Sequence, residues 1–439
     1  MNKVNQCYKD AVVLGVISFI CFFSGYFLNV VLAKLVSKDL YGDFSVGLQT
    51  FLLVSSIMLL GTDTASKRFL SSYLSKNESH TAADYIKWNF NLVLKSSVII
   101  LVVIAIIALG MSFLHLTKIK HFSTYHIAVY VLFFAPIGAI PPLINSYLIA
   151  NRNVFLSNLM NGSVAYLLIL LIVYMAVGIF NNQITDNLFI FSIAAAFIIL
   201  TIFEIFIFSK KLPVVFKKIF SKEKLNITSD KWQETSNRLV VNQIAFKIIG
   251  CLNIYILEIF GNKEEEVGEL AAVLAIGAII TTAFNSINTM LAPLIGANYK
   301  TDRAKMQSSL TTTTYANFLT SLCLFIVVMC FGKSILGTFG KDFYSEKSYI
   351  ILGIVSGAYT MFSVGRSSLS MIAYTGHEGS LIKVTIWELG ILLVLGTILT
   401  KMYGIYGIAI AMFVSLLVKL VVAIHLVRSK TGYKPLGFF

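Results

Sequence analysis

Arg366 and Lys247 stand inside long apolar runs, where a lysine or arginine at bilayer depth costs about 2.5–3.5 kcal/mol. A cation kept there needs an anion. Glu388 is the acid placed to pair with Arg366 structurally; a bound anionic ligand is the alternative. Acids stand in the runs too. Glu258 shares a helical face with Gln243, Lys247 and Gly250 at 100° per residue. Asp63 lies in "GTDTASKRFL", where an apolar run ends in an acid followed by Lys67 and Arg68. Asp63 and Lys67 are one turn apart and can neutralise each other. Asp63, Glu258 and Glu388 are also the acids placed to carry a coupling H+ or Na+. Glu204, near the end of another run, reads as an interfacial residue or a proton site. Lys95 and Lys419 read as snorkelling anchors.

Polar stripes accompany these charges. Ser356, Thr360, Ser363, Ser367, Ser370 and Tyr374 recur at helical spacing with Arg366 beside them, and Thr281, Thr282, Asn285, Asn288 and Thr289 mark a second run. Small polar residues of this kind are the usual glue of membrane helix packing. The same hydroxyls and amides can also line a polar cavity.

The elements that position these groups are transmembrane helices. Of 439 residues, 57% are hydrophobic and 13% charged, against about 25% charged in a soluble domain. Apolar windows of about 18 residues or more recur along the chain, and they are continuous, which excludes the alternating strands of a β-barrel. We read an all-α membrane protein with about twelve spans, at 11–36, 44–72, 86–112, 124–150, 155–179, 188–209, 236–260, 267–293, 308–331, 349–375, 379–400 and 405–427. The first run has no small-residue cleavage pattern and reads as a retained span. The Lys-rich loop 210–235, which includes Lys222 and Lys224, marks the cytoplasmic side. So do Lys300, Arg303 and Lys305, and the tail 428–439; the outer loop "GNKEEEVGE" is mostly acidic. Both termini are therefore expected in the cytoplasm. The net charge of +14 fits that bias and attraction to anionic headgroups; nucleic acid is not an expected partner.

Sliding the chain on itself by about 221 to 226 residues aligns "LYGDFSVGLQ" with "EVGELAAVLA" and "LIANRNVFLSN" with "MIAYTGHEGSLIK". The repeat predicts two six-helix lobes, 1–209 and 236–427, joined by the basic loop. An even number of spans per repeat gives both lobes the same orientation, hence a pseudo-twofold along the membrane normal and alternating access between them.

The stretch "YGDFSVGLQTFLLVSSIMLLGTDTASKRFLSSYLS" (41–75) resembles the second span of Wzx-type polysaccharide flippases, where Tyr-Gly precedes the span and a Gly followed by small and basic residues ends it. Span number, basic middle loop and two-lobe repeat fit the same superfamily, which also holds MATE multidrug exporters and lipid II flippases. A lipid II flippase usually has two more spans. The resemblance implies translocation of an undecaprenyl-diphosphate-linked oligosaccharide, an O-antigen or capsule repeat unit, across a bacterial inner membrane, with membrane lipids and a polysaccharide polymerase as partners. In that setting Lys247 and Arg366 would neutralise the diphosphate, Arg as a bidentate donor and Lys as a point charge. Gln243, Asn285, Ser363 and Ser367 would meet sugar hydroxyls, and Lys67 and Arg68 would meet the diphosphate at the cytoplasmic mouth. The alternative is a MATE-type cation-coupled drug antiporter, which calls for an acidic cavity.

Enzyme chemistry has no foothold. Walker, GxSxG and HExxH motifs are absent, and every outer loop is too short for a membrane glycosyltransferase or polymerase site. The five cysteines form no CxxC, so no zinc site or disulfide framework is implied. No metal and no cofactor is expected.

Overall fold

In lipid every backbone amide must be satisfied within the chain, which restricts a spanning segment to helix or closed barrel. The computed structural model describes residues 2–116, 127–178, 185–219, 229–261, 263, 265–299, 301–375 and 377–437, and among them there is helix and no strand. Lys222, Lys224, Lys300 and Glu264 lie outside the described residues.

In chain order the helices are α1 (Asn2–Leu35), α2 (Lys38–Met58), α3 (Thr62–Ser75), α4 (Ser79–Leu116), α5 (Ile127–Tyr130), α6 (Ala135–Ala150), α7 (Val154–Leu159), α8 (Ala165–Gly178), α9 (Asp186–Lys211) and α10 (Pro213–Ile219). They continue with α11 (Ser229–Phe260), α12 (Glu265–Asn298), α13 (Arg303–Gly337), α14 (Glu346–Tyr374), α15 (Glu378–Tyr403) and α16 (Ile405–Thr431). Eleven helical stretches are long and apolar enough to cross a membrane, and the pair α2 and α3, bent by 49°, makes a twelfth. The expected spans are therefore all present, with one broken in the middle.

The breaks have local causes. Leu60 and Gly61 adopt φ of 48° and 76°, a left-handed pair that ends α2 and restarts the chain as α3. Gly404, at φ 58°, turns α15 into α16. Asp302 and Ser345 cap α13 and α14 by accepting the amides of Lys305 (2.9 Å) and Ser348 (3.0 Å).

Contacts divide the chain into two compact units, Met1–Gly42 with Leu252–Phe439, and Asp43–Cys251. These are drawn differently from the sequence halves 1–209 and 236–427. The first helix belongs with the later residues because α1 packs along α12. There Gly268 admits the Lys38 carbonyl so closely that a Cβ would collide with it, and Lys38 reaches Glu269 at 2.7 Å.

The first unit is built on α12, α13, α14 and α16, mutually packed, with α15 against α16. One end is closed by Leu291, Ile295, Met306, Leu310, Met371 and Tyr433. In the second unit α6 is central, packed against α3 and α9; α8 lies on α9, and α4 carries the short helix α10. Trp232 of α11 is 1% exposed. It donates to the Tyr73 hydroxyl at 2.8 Å and sits edge-on to Tyr85. The outward face of α4 (Val98, Ile99, Val102, Ile106) is exposed and wholly apolar, a surface made for lipid chains.

Candidate functional site

In the first unit the central group is Arg366. Spacing puts it on the face of α14 that meets α12, and Asn285 of α12 is there to receive it. Arg366 Nε donates to Asn285 Oδ1 at 2.8 Å, and Nη1 reaches Ser370 Oγ at 3.4 Å. Both partners are neutral. The expected pair with Glu388 is not formed. Glu388 instead holds Lys419 at 2.7 Å, with side chains 3% and 10% exposed, and the Lys419 ammonium lies 4.9 Å from the centre of the Phe362 ring. The reason is topological: α15, which carries Glu388, packs chiefly on α16, which carries Lys419, whereas α14 presents Arg366 to α12. Lys419 is therefore a buried ion-pair partner rather than a snorkelling anchor. No acid is paired with Arg366 among the described residues.

Ser363 and Ser367 are fully buried. Ser363 donates to the Thr360 carbonyl at 2.6 Å, and Ser367 accepts from Asn317 of α13 at 2.9 Å. Their stripe is helix-packing contact between α13 and α14. Glu258, near the end of α11, is partly exposed and engaged with neighbours.

The other sequence candidates gather in the second unit on α3 and α11. Gln243 donates to the Thr64 hydroxyl. Ser236 donates to the Leu60 carbonyl at 2.6 Å, which fastens α11 onto the break between α2 and α3. Lys247, one turn past Gln243, is exposed, as are Lys67 and Arg68; Arg68 sits 6.0 Å from the centre of the Phe69 ring. The Asp63–Lys67 pair is not made. Asp63 falls in the first turn of α3, at the positive end of that helix's dipole, and its Oδ1 is buried without a hydrogen-bond partner among the described residues. The chain break at Gly61 thus explains why an acid stands at that point: it marks a helix start, not an end.

The sequence leaves Glu204 as either an interfacial residue or a proton site and does not show its amide partner. Glu204 of α9 is 0% exposed and accepts from Asn145 Nδ2 of α6 at 3.0 Å. Among the described residues its other oxygen has no hydrogen-bond partner, and neither has Asn145 Oδ1. It is an interior group, not an interfacial one, and no cation reaches it among the described residues. A carboxylate buried with only an amide for company would carry a heavy desolvation cost. The signal available in sequence was the coincidence of an amide in one span and an acid in another of the same half.

No family model matches this chain, and no curated protein does. Solved structures match over nearly its whole length. It is similar to a multidrug resistance MATE family transporter of the MOP superfamily in its inward-facing conformation (TM-score 0.74, 12% identity, 95% of this chain and 94% of that one). It is similar also to the lipid II flippase MurJ in an inward closed conformation (TM-score 0.67, 14% identity, 95% of this chain and 87% of that one). A third likeness is to a MOP superfamily transporter from Pyrococcus furiosus whose reversed binding-pocket polarity is said to suggest a different function (TM-score 0.68, 14% identity, 97% and 96%). At these identities the likeness is one of fold. The chain has the multi-helix fold shared by MATE transporters and the MurJ flippase.

Proposed function

We propose that this protein is a flippase that carries an undecaprenyl-diphosphate-linked oligosaccharide, an O-antigen or capsule repeat unit, across a bacterial inner membrane by alternating access. The observation that carries the reading is Arg366. A guanidinium lies within a membrane span, its neighbours Asn285 and Ser370 are neutral, and the acid expected from the sequence, Glu388, is taken by Lys419. Such a cation is stabilised by an incoming anion, and a diphosphate offers a planar donor fork several acceptor oxygens. Lys67, Arg68 and Lys247 are the further exposed cations assigned to the diphosphate path, with both termini on the cytoplasmic side. The polymerase that consumes the repeat unit is the expected partner.

A MATE-type antiporter for cationic drugs is the second reading, favoured by the shared fold and by Glu204, the buried acid without a cation. The two readings predict opposite cargo charge. The test is reconstitution of the full chain in proteoliposomes with a fluorescent lipid-diphosphate oligosaccharide in one assay and a cationic dye in another. The flippase reading expects the lipid to move and Arg366→Gln to slow it at least tenfold. Dye transport with an inert lipid substrate would replace it with the antiporter.

A further inference from the structure

The second unit contains a cavity of about 460 Å³ between α4, α6, α9 and α10, within the roughly 300–1,000 Å³ range of small-ligand sites. Its wall is apolar: Phe90, Ile144, Ile205, Phe208 and Phe216 all line it. Tyr147, Phe208 and Phe216 form a continuous aromatic strip, with ring centres 5.7 and 5.8 Å apart. Two features break the apolar character. Tyr147 lines the cavity and is 3% exposed, yet its hydroxyl has no hydrogen-bond partner among the described residues. Lys87 and Asn91 of α4 also line it. Lys217 and Lys218 do not line it but follow the lining residue Phe216 on the same short helix, at the cavity's edge in sequence.

An unsatisfied buried phenol calls for an acceptor that the protein does not supply. A basic rim beside an apolar slot calls for a molecule with a negative head and a hydrocarbon tail. We infer that this cavity is a binding site for a bilayer phospholipid with an anionic headgroup. One acyl chain occupies the slot, the phosphate meets Lys87, Lys217 and Lys218, and the Tyr147 hydroxyl donates to a lipid oxygen. Size favours a bilayer lipid over a carrier lipid. At about 460 Å³ the cavity lies in the range of small-ligand sites and is small for a long polyprenyl tail. The site is separate from the cation and amide residues assigned to transport and does not depend on that reading.

The experiment uses the full chain in phosphatidylcholine nanodiscs, doped with phosphatidylglycerol that carries a photoreactive diazirine on one acyl chain. A phosphatidylcholine probe with the same chain runs in parallel. The expected result is labelling of α4, α6 and α10 at least fivefold stronger with the anionic probe. Ile205→Trp, at a lining position that is 41% exposed, should block the slot and cut labelling at least fivefold. Lys217→Gln with Lys218→Gln should abolish the headgroup preference while leaving the apolar wall intact, so the test survives if the tryptophan variant fails to fold. Equal labelling by both probes, labelling confined to other helices, or full competition by equimolar undecaprenyl phosphate would each overturn the inference.

Discussion

The two units treat buried charge in opposite ways. In the first, buried acids are met by lysines: Glu388 by Lys419, Glu269 by Lys38 and Glu266 by Lys347. Among the described residues a partly buried charge there without an opposite is a cation, Arg366, resting on an amide and a hydroxyl. In the second unit the group left over is an acid, Glu204, resting on an amide. The contrast is one of sign: among the described residues a partly buried cation lacks an acid in the first unit and a buried acid lacks a cation in the second.

The largest effect that tests this contrast is Glu388→Gln. It strands Lys419 in the interior, and breaking a buried pair costs about 3–5 kcal/mol. Thermal unfolding of the purified protein in detergent should show the loss, and Glu388→Leu with Lys419→Met should recover most of it. A small effect of the single change would mean that the pair is hydrated. Next comes Arg366→Gln. Here stability should hold while lipid-diphosphate transport falls at least tenfold, about 1.4 kcal/mol or more; a stability loss comparable with that of Glu388→Gln would make Arg366 a structural group after all. Glu204→Gln is expected to cost no more than about 1 kcal/mol of stability, because the new amide is isosteric and can still accept from Asn145. A cost of several kcal/mol would reveal an ionised Glu204 and dissolve the contrast. The smallest effect is expected for Asp63→Asn, about 0.3–1 kcal/mol from the lost dipole interaction at the start of α3, read as a small shift in the same unfolding experiment with transport unchanged.

The spans were legible because hydropathy acts over whole helices, and lipid forces each apolar run into one. The break in span two was not, because it depends on Leu60 adopting a positive φ, a conformation that its residue type disfavours and that only tertiary packing sustains. Without that break, Asp63 looked like the end of a helix and acquired a pairing with Lys67 that the structure does not contain. Periodicity correctly placed Arg366 beside a polar stripe, but a period identifies a face and not the neighbour across it. Helix order alone made Glu388 plausible as the partner. The packing of α15 on α16 gave it to Lys419 instead. The partners of Ser363 and Ser367 were hidden for the converse reason: a period cannot show that inward-facing hydroxyls meet Asn317 and the Thr360 carbonyl.

The seating of α1 on α12 has a consequence for biosynthesis. The first helix leaves the ribosome while its packing partner is still unmade, with about half the chain to follow. At roughly 5–20 residues per second, it waits in the bilayer on the order of tens of seconds. Part of its polarity is met within the helix meanwhile, since Ser18, Ser24 and Asn29 each donate to a carbonyl one turn back, whereas the Tyr26 hydroxyl must wait for Thr338. A fragment ending in the middle loop would therefore insert but leave its leading helix without a mate, and a separately expressed second half would lack the helix that completes it. Co-expression of the two fragments should restore a folded protein that neither yields alone.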